Sequence, residues 1–152
     1  MKKEKKIIIG SIVGACVLFG GYFAYDITSR LSEDEYEEKI EGSFNDISAI
    51  MLDFGDIIDI GSDPYVREND EFKDEVTRIS DRLDREIEDI RDINPPYSKK
   101  DEHRDLLKAM DYYEVVAEKM PKTLTNLEDE DMDSVLDNMD KANTIMERSD
   151  LW

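Results

Sequence analysis

Residues 129–140 read DEDMDSVLDNMD and place six carboxylates within twelve residues. Taken as a twelve-residue calcium loop, they put Asp129, Asp131 and Asp133 at positions 1, 3 and 5, with Asp137 at 9 and Asp140 at 12. Two features depart from that loop. Ser134 stands where glycine makes the sharp turn, and Asp140 replaces the bidentate glutamate. The same acids suit a helix N-terminus, where the macrodipole favours each negative charge by ~0.3–1 kcal/mol. Capping is the cheaper account, so no metal and no cofactor is expected.

Other reactive types are sparse. His103 is the only histidine, with Asp101 and Glu102 as acidic neighbours. A general base needs a positioned partner, and none is written nearby. In phase with an apolar stripe, His103 is expected to pack beside the Pro95-Pro96 turn and bond a backbone group. Asp53-Phe54-Gly55 matches a kinase tripeptide, but neither a glycine-rich loop nor an HRD accompanies it. No nucleophile–base pair or phosphate loop appears, so no catalytic residue is assigned and the chain is not read as an enzyme.

Cys16 is the single cysteine. Val13-Gly14-Ala15-Cys16 has the form of a bacterial lipobox, with Cys16 as lipid acceptor. Nine further apolar residues follow it, where a lipoprotein turns polar. The element that holds Cys16 favours another reading. Residues 7–25, IIIGSIVGACVLFGGYFAY, carry no formal charge. As a helix they cover ~28 Å, close to the ~30 Å hydrocarbon core of a bilayer. Lys2, Lys3, Lys5 and Lys6 precede them, which predicts a cytoplasmic N-terminus by the positive-inside rule. Tyr22, Phe23 and Tyr25 then fall at the outer interface, where amphipathic rings settle. A poor cleavage site, with bulky Tyr22 at −3 where Ala24 is −1, favours an uncleaved anchor. Gly10 and Gly14 form a GxxxG through which two anchors could pack into a homodimer.

Charge divides at the same boundary. Residues 1–25 hold four lysines and one glutamate, a sum of +3; the chain totals −19, leaving −22 on residues 26–152. Phosphate binding needs a basic face, so nucleic acid is excluded as a partner. With no cysteine beyond residue 16, the acidic part depends on its core for stability.

That core is predicted from periodicity. After a short juncture at 26–31, Ser32 and Glu35 form a capping box. The stripe Tyr36, Ile40, Phe44, Ile47, Met51, Phe54 and Ile58 follows, widened by Ile50 and Ile57, and Gly61 stops the helix. A second stripe, Phe72 to Ile93, ends at Asn94-Pro95-Pro96; it begins near Asn69, or earlier if Asp63 caps and Pro64 is its first residue. Asp81 and Arg85 are expected to pair across one turn. Ser98 with Asp101 opens a third stripe from His103 to Leu127; its phase carries through Pro121, and a kink or break is predicted at Lys119–Met120. A last helix runs from about Met132 through Leu136 and Met146 to near Leu151-Trp152, with Trp152 capping the bundle's open end. Met51, Met110, Met120, Met132, Met139 and Met146 are read as core, with a ligand groove between helices as the alternative. The prediction is all-α: one transmembrane helix, then an antiparallel three- or four-helix bundle over residues 32–152.

The order of apolar helix, a helix ending in NPP, then a histidine-bearing helix resembles small membrane-anchored or lipoprotein helical-bundle proteins of Gram-positive bacteria. Residues 94–103, NPPYSKKDEH, carry the likeness. It implies location and fold and no activity. The expected function is an extracytoplasmic interaction, scaffold or accessory protein, on the cell membrane, with a protein partner in the envelope. The alternative is a ligand- or cation-binding module lipidated at Cys16.

Overall fold

A computed structural model describes residues 29–61, 63–126 and 129–148; of residues 64, 126 and 129–131 it describes the backbone alone. Residues 7–25, with Gly10, Gly14 and Cys16, lie outside the described residues, as does Trp152. Among the described residues every element is helical: α1 (Glu33–Ile60), the short α2 (Pro64–Arg67), α3 (Asp70–Arg91), a 3₁₀ turn (Tyr97–Lys99), α4 (Lys100–Asn126) and α5 (Asp129–Arg148). None of these helices is long and apolar enough to cross a membrane.

The capping box forms. Glu35 N–H donates to Ser32 Oγ at 3.3 Å, while Ser32 N–H donates to the Glu35 carboxylate at 2.9 Å. The Ser32 N–H, together with the Ser32 hydroxyl donating to the same carboxylate at 2.7 Å, holds the Glu35 carboxyl below its ordinary range. Both proposed starts of the second helix are used. Asp63 accepts from Tyr65 N–H and caps α2, and Asn69 accepts from Glu71 N–H and caps α3.

Gly61 ends α1 by a different means than the usual left-handed glycine cap. Its φ of −68° is open to any residue. A Cβ there, however, would meet Phe72 Cζ at 2.8 Å and the Ile57 carbonyl at 3.1 Å. Glycine is required for the close approach of the α3 ring, not for its dihedral freedom.

The stripes meet as expected. Tyr36, Ile40, Ile47, Ile50 and Phe54 of α1 pack with Val76, Ile79, Leu83, Ile87 and Ile90 of α3, and with Leu106, Met110, Tyr113, Val116 and Met120 of α4, all buried. Val135, Ala142 and Met146 complete the core from α5. At about 25 cal/mol per Å² of apolar surface this burial is the main term holding the domain. The pairs α1–α3, α3–α4 and α4–α5 pack side by side. The first and last of these pairs are antiparallel: Leu31 N–H reaches the Asn94 carbonyl while Arg82 pairs with Asp53, and Tyr113 meets Asn143 while Lys119 meets Ser134.

Five sequence expectations are corrected. The chain does not break at Pro121; α4 continues to Asn126. The apolar phase is the same on both sides of the proline, so Met120 and Leu124 hold one helix in register. The Thr123 and Thr125 hydroxyls bond the carbonyls four residues back, at Lys119 (3.0 Å) and Pro121 (2.7 Å). Ser98 does not open α4 but lies in the 3₁₀ turn, where its hydroxyl donates to the Glu33 carboxylate. Arg85 bonds the Asp81 carbonyl at 3.1 Å rather than its carboxylate. The last helix begins at Asp129, ahead of Met132, and Leu136 is about half exposed, outside the core stripe.

The juncture is fastened rather than free over residues 29–31. Arg30 donates to the Asn94 side chain (2.9 Å) and the Pro95 carbonyl (2.8 Å), and its guanidinium lies 4.2 Å from the Tyr97 ring centroid. Asn94 in turn donates to Ser29 Oγ at 2.7 Å. The NPPY turn is therefore a clasp for the chain entering the bundle.

Candidate functional site

A closed four-helix bundle would also bring α1 against α5, and here that seam stays open. Without the close backbone approach of the three packed pairs, the two helices leave a groove of about 410 Å³. Ile47, Ser48, Met51 and Leu52 form one wall, Met139, Asn143, Met146 and Glu147 the other, and Tyr113 of α4 the floor. The lining is mainly apolar. Met51 and Met139 are half-buried, and Leu52 is 72% exposed. Tyr113 is fixed by donating its hydroxyl to Asn143 at 2.6 Å, and burial pushes its phenol up to about 12.

The methionines thus divide between the two readings. Met110, Met120 and Met146 are buried in the core, while Met51 and Met139 line the groove, which Met146 also reaches. Thioether side chains are unbranched and polarizable, so such a lining adapts to different apolar shapes. The sequence signal for the groove was the recurrence of methionines on the apolar stripes, for which a groove between helices was the alternative to core packing. Leu52 gave no signal, because it lies off the α1 stripe.

His103 is buried, at 5% exposure. It bonds a side chain, not the backbone group expected from the sequence: Nδ1 lies 3.3 Å from the Tyr36 hydroxyl, and the rings meet edge to face with centroids 5.8 Å apart. Burial lowers the imidazole's affinity for a proton, and burial followed by the nearby Glu102 charge raises the Tyr36 phenol. Beside the pair, Lys99 bridges Glu37 (2.9 Å) and Glu102 (3.2 Å). A neutral His–Tyr pair closed off from solvent, with no nucleophile between its members, ties α1 to α4. It offers no surface to a substrate.

The aspartate run does not form a loop. Residues 129–140 lie within continuous α5, which separates residues two apart by about 200° around the axis. Asp133, Asp137 and Asp140 are exposed, and Asp137 pairs with Lys141. The side chains of Asp129 and Asp131 lie outside the described residues. Among the described residues no three His, Cys, Asp or Glu side chains gather as a metal ion would need.

A more polar cleft lies between α1 and α3, lined by Asp46, Ile50, Arg82, Arg85, Glu86 and Asp89, and another lies beside the clasp. No family model matches the chain, and neither a curated protein nor a solved structure matches it.

Proposed function

We propose that the chain is a membrane-tethered interaction protein without catalytic activity, anchored by residues 7–25 and presenting its acidic bundle outside the cytoplasm. The observation that carries the interaction reading is the open, methionine-lined seam between α1 and α5. It is an adaptable apolar surface on a domain that is otherwise heavily charged. Supporting the tether are the uncharged length of residues 7–25 and the four lysines before it. Only three residues separate Tyr25 from the fastened Ser29, a reach of at most about 13 Å over four steps of the chain. In this reading the NPPY clasp is therefore the membrane-proximal end of the bundle, and the α1–α3 connection around Tyr65 is the distal end.

Topology tests the proposal directly. Tyr65 is 88% exposed, so Tyr65→Cys in a Cys16→Ala background reports the side on which the bundle lies. Labelling of intact cells by a membrane-impermeant maleimide supports the tethered reading; labelling only after lysis overturns it. The mass of the mature N-terminus separates anchor from lipoprotein. An intact start supports the anchor, and cleavage before Cys16 with added acyl chains establishes the lipidated alternative.

A further inference from the structure

We propose that the α1–α5 seam docks an amphipathic helix of a partner protein, one with an apolar stripe and flanking lysine or arginine residues. This deepens the interaction reading and depends on it. The groove supplies what such a helix needs on its apolar side: Met51, Met139 and Met146 over a Tyr113 floor, with Leu52 projecting at the lip. From Met139 to Glu147 the α5 wall runs about 12 Å, room for anchors at i, i+3 or i+4, and i+7 of an incoming helix.

Charge selects the kind of helix. Glu147 lines the groove, and Asp140, one heptad before it, shares its face of α5. On α1, Glu41 and Asp59 stand one heptad from Ser48 and Leu52 on the same face, and both are exposed. The acids along both walls, on a domain carrying −22 over residues 26–152, attract cationic flanks and steer their approach. A second copy would bring like charge to like charge. A small apolar ligand would leave the acidic rim unused.

The full chain in nanodiscs of zwitterionic phosphatidylcholine provides the test, because that lipid does not itself attract a basic peptide. The probe is a helix of about 18 Leu and Lys residues with all leucines on one face. Two comparison peptides are its scrambled isomer and a Leu/Glu counterpart. Binding is followed by fluorescence anisotropy and by the ¹³C-methyl resonances of the methionines. The amphipathic Leu/Lys helix is expected to bind at least about tenfold more tightly than either comparison peptide. It is expected to move the methyl signals of Met51 and Met139 while leaving Met110 and Met120 in place. Leu52→Asn, at an exposed position that leaves the core intact, should weaken binding at least about fivefold.

Equal binding of the scrambled isomer would reduce the effect to bulk charge and overturn the proposal. So would methyl shifts confined to methionines away from the seam. A marked gain in affinity on truncation after Arg148 would assign the groove to the chain's own Leu151 and Trp152 instead. Failure of the peptide test with external labelling of Tyr65→Cys intact sinks the groove alone. Cytoplasmic labelling sinks the tether and leaves the peptide result standing.

Discussion

The Tyr36 hydroxyl and Nδ1 of His103 lie 3.3 Å apart across a separation of 67 residues. Both rings are almost wholly buried. The contact pins the first turn of α1 to the first turn of α4, and it makes the fold sensitive to acid. Burial holds the His103 imidazole below its ordinary value of 6.5. Between that lowered value and 6.5 the unfolded chain takes up a proton that the folded chain refuses. Stability from this group is complete above pH 6.5 and declines as the pH falls through that window. Urea melts at pH 7.5 and 5.5 are expected to show the decline in the native chain and to show less of it in His103→Phe. Tyr36→Phe should cost about 1–2 kcal/mol by removing one partner of a buried hydrogen bond.

Surface carboxylates act with the opposite sign. Burial, reinforced by neighbouring acids, raises the carboxyls of Asp84 and Glu86 above their ordinary values of 3.8 and 4.5. Over that interval the folded chain holds protons that the unfolded chain releases, so their contribution weakens as the pH rises through it. At neutral pH the crowded negative charge repels itself, and salt screens it. The melting temperature at pH 7 should therefore climb between about 0.01 M and about 0.5 M NaCl.

Glycines at two positions of the first helical hairpin should respond in opposite directions. A Cβ on Gly42 meets nothing within 4 Å, and Gly42→Ala should stabilise by about 0.5–1 kcal/mol through backbone entropy. Gly61→Ala drives its Cβ into the Phe72 ring and should cost about 1–3 kcal/mol. Trimming the obstruction with Phe72→Leu in the Gly61→Ala background should cost less than the same trim in the native chain, a coupling readable by a double-mutant cycle.

Arg91 is the main ionic tie between α3 and α4. It meets Glu88 at 3.2 Å, Asp111 at 2.9 Å and Glu114 at 2.8 Å, with only 27% of its side chain exposed. Its hydrogen bond holds the Glu114 carboxyl below its ordinary range. Arg91→Met keeps much of the stem's packing and removes the charge. It should cost about 1 kcal/mol, with the loss shrinking at high salt. Denaturant midpoints at two ionic strengths check both statements.

Pro121 sits inside an uninterrupted helix, where it supplies no donor for the carbonyl four residues back. Pro121→Ala should restore that bond and raise stability by about 1–3 kcal/mol, with unchanged helical content by circular dichroism. A fall in stability would mean that the proline geometry is needed to seat Met120 and Leu124.

Much of the architecture was legible because it depends on local patterning. The four long helices, the Ser32–Glu35 box, the Asp63 and Asn69 caps and the stop at Asn94-Pro95-Pro96 all follow from period, capping chemistry and missing donors within a few residues. Of the kink or break expected at Lys119–Met120 the break does not occur, because the apolar phase carried through Pro121 keeps Met120 and Leu124 on one buried face. Leu136 misled because periodicity reports that a face is apolar without saying whether another helix arrives to cover it.

What the sequence determined alone is the all-helical character of the bundle, most of its core residues and its charge, since helical period and composition are properties of neighbouring residues. Only the tertiary structure decided that His103 finds Tyr36, that Gly61 yields to Phe72, that Arg30 clasps the NPPY turn, and that α1 and α5 leave a methionine-lined seam between them. Each of these joins residues distant along the chain. Such contacts depend on which helices pack side by side, a choice that no single stripe encodes.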